Sequence, residues 1–291
     1  MQILDGKTAR DFYTEKLREK ISRHGMPISL AIIQVGKNEE SSAYIRQKKK
    51  FGLSLGIEVK HILLPDNISF VDLEKEISTL NSDKKVNGII VQLPLPPHLE
   101  KLSVINLITP EKDVDGLTET SRKKMMHGDI TGFVPATARG ISSLLDFYHI
   151  SVAGKKVAML GRSMLVGEPT ARLLKASGAS VTVCHSETLH TRDITKASDI
   201  IIVAIGKPEL IDDTYVGTNM PTVIDVGINT IAGEKLEEEI GGRKIVGDVA
   251  FEKVKDKVAA ISPVPGGVGP MTVLCLFENV VEAAKRSTMK T

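Results

Sequence analysis

Short runs almost continuous in Val and Ile recur along this chain, each separated from the next by a segment of different character. They are "ISLAIIQVG", "IEVKHILL" and "VNGIIVQLPL" in the first half, then "KKVAML", "ASVTVC", "DIIIVAIG", "PTVIDVGI" and "VAAISPV" in the second. A strand with one face in water alternates polar and apolar side chains, whereas a run apolar at nearly every position has both faces covered. Helices supply such cover, so the pattern predicts parallel sheets built from α/β units. "EESSAYIRQKKKFGLSLG" and "FVDLEKEISTLN" read as the helices between the first three runs, ended by Gly56 and Asn81. A Gly- and Pro-bearing stretch, "GDITGFVPATARG", interrupts the pattern before the helix "ISSLLDFYHI" and marks a boundary. From Met271 onward Leu274, Phe277, Val281 and Ala284 fall at helical spacing, giving a terminal helix. The fold class is therefore α/β, with two α/β lobes and a cleft between them as the default binding site. The second lobe is expected to be Rossmann-like with a parallel sheet.

Composition narrows the function classes. The 291 residues suffice for two ordinary domains. A formal net charge of +2, aromatics at 4 % and no Trp speak against a nucleic-acid surface. Cys184 and Cys275 make no C-x-x-C or Cys/His ligand pattern, so neither a disulfide framework nor a metal site is expected. "MQILDGKTARDFY" lacks a basic region followed by an apolar stretch, and no run is long enough to span a bilayer. A soluble cytoplasmic protein with no membrane partner is expected.

"GRSMLVGEP", Gly161 to Pro169, lies between a strand and a helix, where backbone N–H groups at a helix start favour an anion. Gly161 permits a tight turn, Gly167 lets the helix come close, and Pro169 suits a first helical turn. The glycines do not match G-x-G-x-x-G, so on spacing alone a plain strand–turn–helix connection is an equal reading. The next strand, "ASVTVC", sharpens the choice. An NAD-preferring sheet carries an acid at the end of its second strand, but here His185 and Ser186 follow, with Glu187 one step beyond. Arg162 and Ser186 suit a 2′-phosphate instead, Arg through its planar fork and Ser through its hydroxyl, which favours NADP over NAD.

In the first lobe, Tyr44 and Lys48 lie four apart on one helix and share a face. Such a face is often only solvated and basic, as Arg46, Lys49 and Lys50 suggest. A lysine among cations and partly desolvated would instead have its pKa lowered toward neutrality and could exchange protons. A Tyr-x-x-x-Lys pair also marks short-chain dehydrogenases, but there it follows the nucleotide loop, and here it precedes it. Gln92 stands at the carboxyl end of a buried run, either capping a loop or facing a ligand. In "TPEKDVDGL", Asp113 and Asp115 lie two apart in a turn, where most Asp residues before Gly serve the turn alone. The Gly- and Pro-rich "SPVPGGVGPMT" could be structural, or could let backbone lie close against a ligand.

Taken in order, "YIRQKK", "VQLPLP", "PEKDVDG", "GRSMLVGEP", "VTVCHSET", "IDVGIN", "GDV" and "PVPGGVGPMT" resemble the bifunctional methylenetetrahydrofolate dehydrogenase/methenyltetrahydrofolate cyclohydrolase family over nearly the whole chain. The resemblance implies a discontinuous folate-binding catalytic domain, residues 1–136 plus 271–291, with an NADP-binding Rossmann-like domain, 137–270, inserted. It implies NADP-dependent oxidation of 5,10-methylenetetrahydrofolate and hydrolysis of the methenyl product to 10-formyltetrahydrofolate, by a homodimer. Position by position, Tyr44 would stack on the folate, Lys48 would be the acid/base group of the hydrolysis, and Gln92 would hydrogen-bond Lys48. Asp115 would bind the pterin edge. Gly161, Arg162, Ser163 and Ser186 would hold NADP, and Ile228 would line its nicotinamide side. Pro265, Gly266 and Gly267, in the loop 263–269, would wall the folate pocket.

Where the family reads Pro-Cys-Thr-Pro-x-Gly this chain has "PATARG", with Ala136 and Ala138 in the Cys and Pro places. A less constrained loop between the lobes is the expectation. Two rival functions stand beside the bifunctional one: a monofunctional dehydrogenase or cyclohydrolase, and a catalytically silent dinucleotide-binding protein. The joint presence of Tyr44, Lys48, Gln92 and Asp115 argues against a silent protein.

Overall fold

A computed structural model describes residues 1–129, 132–232 and 243–289. The chain opens with strand β1 (Gln2–Ile3) and helix α1 (Gly6–His24). Strand β2 (Ser29–Val35), helix α2 (Glu39–Ser54), strand β3 (Glu58–Leu64), helix α3 (Phe70–Ser82) and strand β4 (Gly88–Val91) follow. Helices α4 (Lys101–Ile105), α5 (Glu119–Met126) and α6 (Ala136–Phe147) lead to β5 (Lys156–Leu160). Next come α7 (Gly167–Ala176), β6 (Ser180–Cys184), α8 (Thr191–Lys196), β7 (Ile200–Val203) and β8 (Thr222–Asp225). The chain continues through β9 (Asn229–Ala232), β10 (Arg243–Val246), α9 (Phe251–Val254), β11 (Ala260–Ile261) and α10 (Val268–Met289).

Two compact units result. One comprises Thr14–Ala136 and Cys275–Thr291, the other Met1–Tyr13 and Thr137–Leu274. The first carries a parallel sheet in the order β3-β2-β4. Asn38 caps α2 by accepting from Ser41 N, and Ser69 caps α3 by accepting from Asp72 N, so both crossover helices start where a side chain satisfies an orphan donor. On α3, Leu73, Ile77 and Leu80 form the buried stripe, packed with Ala31, Ile33 and Val35 of β2 and Ile89 and Val91 of β4. β2 is buried at every position, as its unbroken apolar run predicts. β3 is not: it forms an edge of the sheet and is only half covered.

The second unit carries a six-stranded sheet in the order β1-β11-β8-β7-β5-β6, parallel throughout. β5 and β7, neighbours in this sheet, lead their chains to opposite sides, which makes the gap between them the switch point where open α/β sheets bind ligands beyond their carboxyl ends. β9 and β10 pair antiparallel outside it.

The compact units differ from the expected boundary at the N-terminus. Residues 1–13 go with the six-stranded sheet, not with the remainder of the expected 1–136 segment, because Gln2 and Ile3 pair in parallel with Ala260 and Ile261. The expected loop at Ala136 and Ala138 is instead the first turn of α6, both alanines being buried; Ala is the best helix former, and it extends the helix back. Among the described residues no helix is long and apolar enough to cross a membrane, and none forms a cluster of three or more His, Cys, Asp or Glu able to hold a metal.

Candidate active site

Gln92 is the first residue past β4, and its N–H still bonds Ile33 O of β2 at 2.8 Å, so the sheet fixes its backbone. Its side chain is held at both ends. Nε2 donates to Leu93 O at 2.9 Å, which leaves Oε1 to accept from Lys48 Nζ at 2.9 Å. Lys48 comes from α2, whose first turn is fastened to the same strand exit by Ser41 Oγ, donating to Leu93 O at 3.3 Å. Tyr44 is half-buried one turn before Lys48 on that helix.

Asp115 lies in the turn that Asp113 builds. The buried Asp113 carboxylate accepts from Leu117 N at 3.1 Å and Thr118 N at 2.9 Å, so this acid serves the turn. Gly116, at φ +70°, completes it at a point where a Cβ would lie 2.7 Å from Phe133 O. Asp115 is thereby placed within the field of Lys48. Burial pushes the Lys48 ammonium below the ordinary lysine range, and the Asp115 charge opposes that fall. Burial likewise pushes the Asp115 carboxyl up, opposed by Lys48 and reinforced by Asp113. The structure thus brings Lys48, Gln92 and Asp115 together as an electrostatically coupled set. A lysine that gives up its proton more readily than in water, held at one point by an amide, suits proton exchange.

The nucleotide-type loop belongs to the other unit. Gly161 ends β5 at φ +116°, and a Cβ there would lie 2.1 Å from Ala204 O of the loop after β7. A Cβ on Gly167 would lie 2.1 Å from Gly161 O. Both glycines are therefore required for the backbone to close at the switch point, which gives the tight cradle a diphosphate needs. Ser163 Oγ accepts from Val166 N and Gly167 N, each at 3.3 Å, and so closes the turn into α7. Arg162 is exposed, and its Nη2 lies 3.4 Å from Glu187 Oε2. Ser186 is exposed beside that pair, in the loop after β6. Ile228 stands 48 % exposed past β8, a large aliphatic face at the same sheet end.

The expected loop 263–269 is shorter, because α10 already begins at Val268; within it Gly266 takes φ +107°, and Gly6 N donates to Gly266 O at 2.8 Å. A Cβ on Gly267 would meet Pro263 O at 2.5 Å. Pro265 shares this loop, which is therefore held by close backbone packing.

Sequence reasoning missed two buried acids at this sheet end, Asp225 and Asp248. Burial pushes Asp225 up to about 7, against the N–H groups of Val249, Asp248 and Gly227 that favour its charged form, with the Asp248 charge adding to the rise. Their signal was present: each is an Asp close to a Gly at the end of an apolar run, in "DVG" and "GDV".

Comparison with known proteins gives the family. Residues 135–288, just over half of the chain, match the tetrahydrofolate dehydrogenase/cyclohydrolase NAD(P)-binding domain, and residues 4–115 match the catalytic domain of that name. The bifunctional protein FolD of Ligilactobacillus salivarius is 43% identical over 98% of this chain and 97% of its own length. The crystal structure of a bifunctional FolD methylenetetrahydrofolate dehydrogenase/cyclohydrolase from Campylobacter jejuni is 41% identical, covers 98% of this chain and 99% of its own, and superposes with TM-score 0.90. The Trypanosoma brucei N5,N10-methylenetetrahydrofolate dehydrogenase-cyclohydrolase, complexed with NADP cofactor and inhibitor, is 35% identical over 98% of both chains, with TM-score 0.92. The chain belongs to the tetrahydrofolate dehydrogenase/cyclohydrolase family.

Proposed function

We propose that this chain is a bifunctional one-carbon enzyme. It oxidises 5,10-methylenetetrahydrofolate to the 5,10-methenyl compound with NADP⁺ and then hydrolyses that product to 10-formyltetrahydrofolate. The observation that carries the reading is the Lys48–Gln92 hydrogen bond beside Asp115, in a chain that also holds the glycine-built cradle of Gly161 and Gly167. Family membership supports it.

In the hydrolysis, Lys48 Nζ exchanges the proton of the attacking water. Burial lowers its pKa, so the amine gives up its proton more readily than in water, and Gln92 holds it in one orientation. Tyr44 stacks on the folate, and Asp115 binds the pterin edge. Pro265, Gly266 and Gly267 are further substrate contacts in this reading.

The turn suits a dinucleotide because a Cβ at Gly161 would meet Ala204 O and one at Gly167 would meet Gly161 O, so only glycine lets the backbone close at the helix start. Gly161 and Ser163 would hold the diphosphate, Arg162 and Ser186 the 2′-phosphate, and Ile228 the nicotinamide side. The bound cofactor supplies the hydride acceptor. The residues around it supply position, which is most of what hydride transfer asks of a protein. A homodimer in the cytoplasm is part of the same proposal.

One assay tests the whole. Purified protein is given methylenetetrahydrofolate with NADP⁺ or NAD⁺, and the products are separated. Formation of NADPH with methenyl- and then formyl-tetrahydrofolate is expected. Reduction without hydrolysis would leave a monofunctional dehydrogenase, and no product at all would end the enzyme reading.

A further inference from the structure

The motifs "DVG" (225–227) and "GDV" (247–249) interlock, and the site described above does not use them. A Cβ on Gly247 would lie 1.8 Å from Asp225 Oδ2, and one on Gly227 would lie 2.2 Å from Asp248 Cγ. Each glycine thus makes room for the other motif's carboxylate. Asp225 Oδ1 accepts from Gly227 N and Asp248 N at 3.0 Å each, and its Oδ2 accepts from Val249 N at 2.9 Å. Ser262 Oγ, just past β11, anchors the same strand end by accepting from Asp225 N at 2.8 Å. Asp225 therefore fixes the backbone from which Asp248 projects.

Asp248 is wholly buried and surrounded by donors. Its Oδ2 accepts from Ile205 N at 2.6 Å and Gly206 N at 2.9 Å. Its Oδ1 accepts from Lys207 N at 2.9 Å and Asn229 Nδ2 at 2.8 Å. Three successive amides of the loop after β7 converge on this carboxylate, as does the side chain next to Ile228. That loop begins at Ala204, whose carbonyl Gly161 packs against. One buried anion therefore ties together the wall behind the diphosphate turn and the segment that presents Ile228.

We propose that Asp248 is a positioning residue, fixing the loops after β7 and β8 as one rigid edge for the nicotinamide half of NADP. It touches no substrate and acts through Ile205–Lys207 and Asn229. The inference rests on the NADP-dependent reading above. Charge-assisted bonds from four donors to a buried carboxylate are strong, and leaving that carboxylate unmatched is costly.

The test is Asp248→Asn, which keeps the volume and replaces one acceptor oxygen by a group that cannot accept. Three readouts are taken on one preparation: amide hydrogen exchange of the peptide carrying Ile205–Lys207, NADPH affinity by fluorescence, and hydrolysis of methenyltetrahydrofolate without cofactor. Exchange and the NADPH Kd are both expected to rise by on the order of tenfold, with hydrolysis within about threefold of the parent. Exchange and Kd that stay within about twofold of the parent overturn the proposal, as does hydrolysis falling in parallel with affinity in a protein that still melts cooperatively. Should Asp248→Asn not melt cooperatively, Asn229→Ala decides. It removes one donor of the four, and a roughly threefold rise in Kd supports the role while an unchanged Kd ends it. Failure of the underlying reading is distinct: the parent protein itself would then not bind NADPH.

Discussion

The half-buried Lys48–Asp115 and the buried Asp225–Asp248 are both ionisable pairs near the carboxyl ends of parallel sheets, yet they are suited to opposite tasks. Lys48 is tethered at one point, by Gln92, and its ammonium is destabilised by burial. Asp248 meets four donors and Asp225 three. Burial raises Asp225 just as it raises Asp115. A carboxylate whose lone pairs are filled by backbone N–H groups has little left for a substrate, and it serves as a fixed point for the chain. A group destabilised by burial and sparsely bonded can give up or take a proton. Burial alone therefore does not mark a catalytic group; the number of partners separates the chemical pair from the structural one.

The largest effect expected from this difference is in Lys48→Met. Hydrolysis of methenyltetrahydrofolate is predicted to fall by roughly 10²–10⁴-fold, the usual worth of a positioned acid/base group, with NADPH affinity unaltered. Hydrolysis at the parent rate would remove Lys48 from the mechanism and collapse the contrast. On the other side stands Gly247→Ala, which puts a methyl where Asp225 Oδ2 now lies, 1.8 Å away. The carboxylate must leave its donors, at a cost of about 2–4 kcal/mol, so the melting temperature is predicted to drop by about 5–10 °C. An unchanged melt would show that the packing around Asp225 yields easily.

Arg162→Ala comes next. Loss of a charged bond to the 2′-phosphate is predicted to cut the preference for NADP⁺ over NAD⁺ by about 10–100-fold in kcat/KM. The Arg162–Glu187 pair is more than half exposed on both sides, so it holds the arginine back little. Equal loss with both cofactors would reassign Arg162 to the shared part of the dinucleotide.

These expectations divide by how far each was legible in the sequence. Apart from β1, the strands of both sheets were readable from their Val and Ile runs, although β3 and β6 lie at sheet edges and are only partly covered. The hydrogen bond between Lys48 and Gln92 was expected from the family resemblance, because spacing alone left Lys48 open to a solvated face and Gln92 to a loop cap. β1 was not readable. It is two residues long, and its partner lies at Ala260, so nothing local announces that residues 1–13 join the second unit. Asp248 was hidden for a related reason. Its donors come from residues 205–207 and from Asn229, two separate loops that meet only once the sheet has formed.

The smallest effect, in Asp115→Asn, asks the finest question of the chemical pair. Asp115 favours the charged form of Lys48, so removing its charge lets the Lys48 pKa fall further. The neutral amine is then reached at lower pH. If Lys48 acts as the base, the acid-side inflection of the hydrolysis kcat profile must move down. A downward move of the alkaline-side inflection instead would mean that the protonated lysine is the active form, acting as a general acid. A KM increase without movement of the inflection would leave Asp115 as a binding group alone, and the coupling between the two charges would have no part in the reaction.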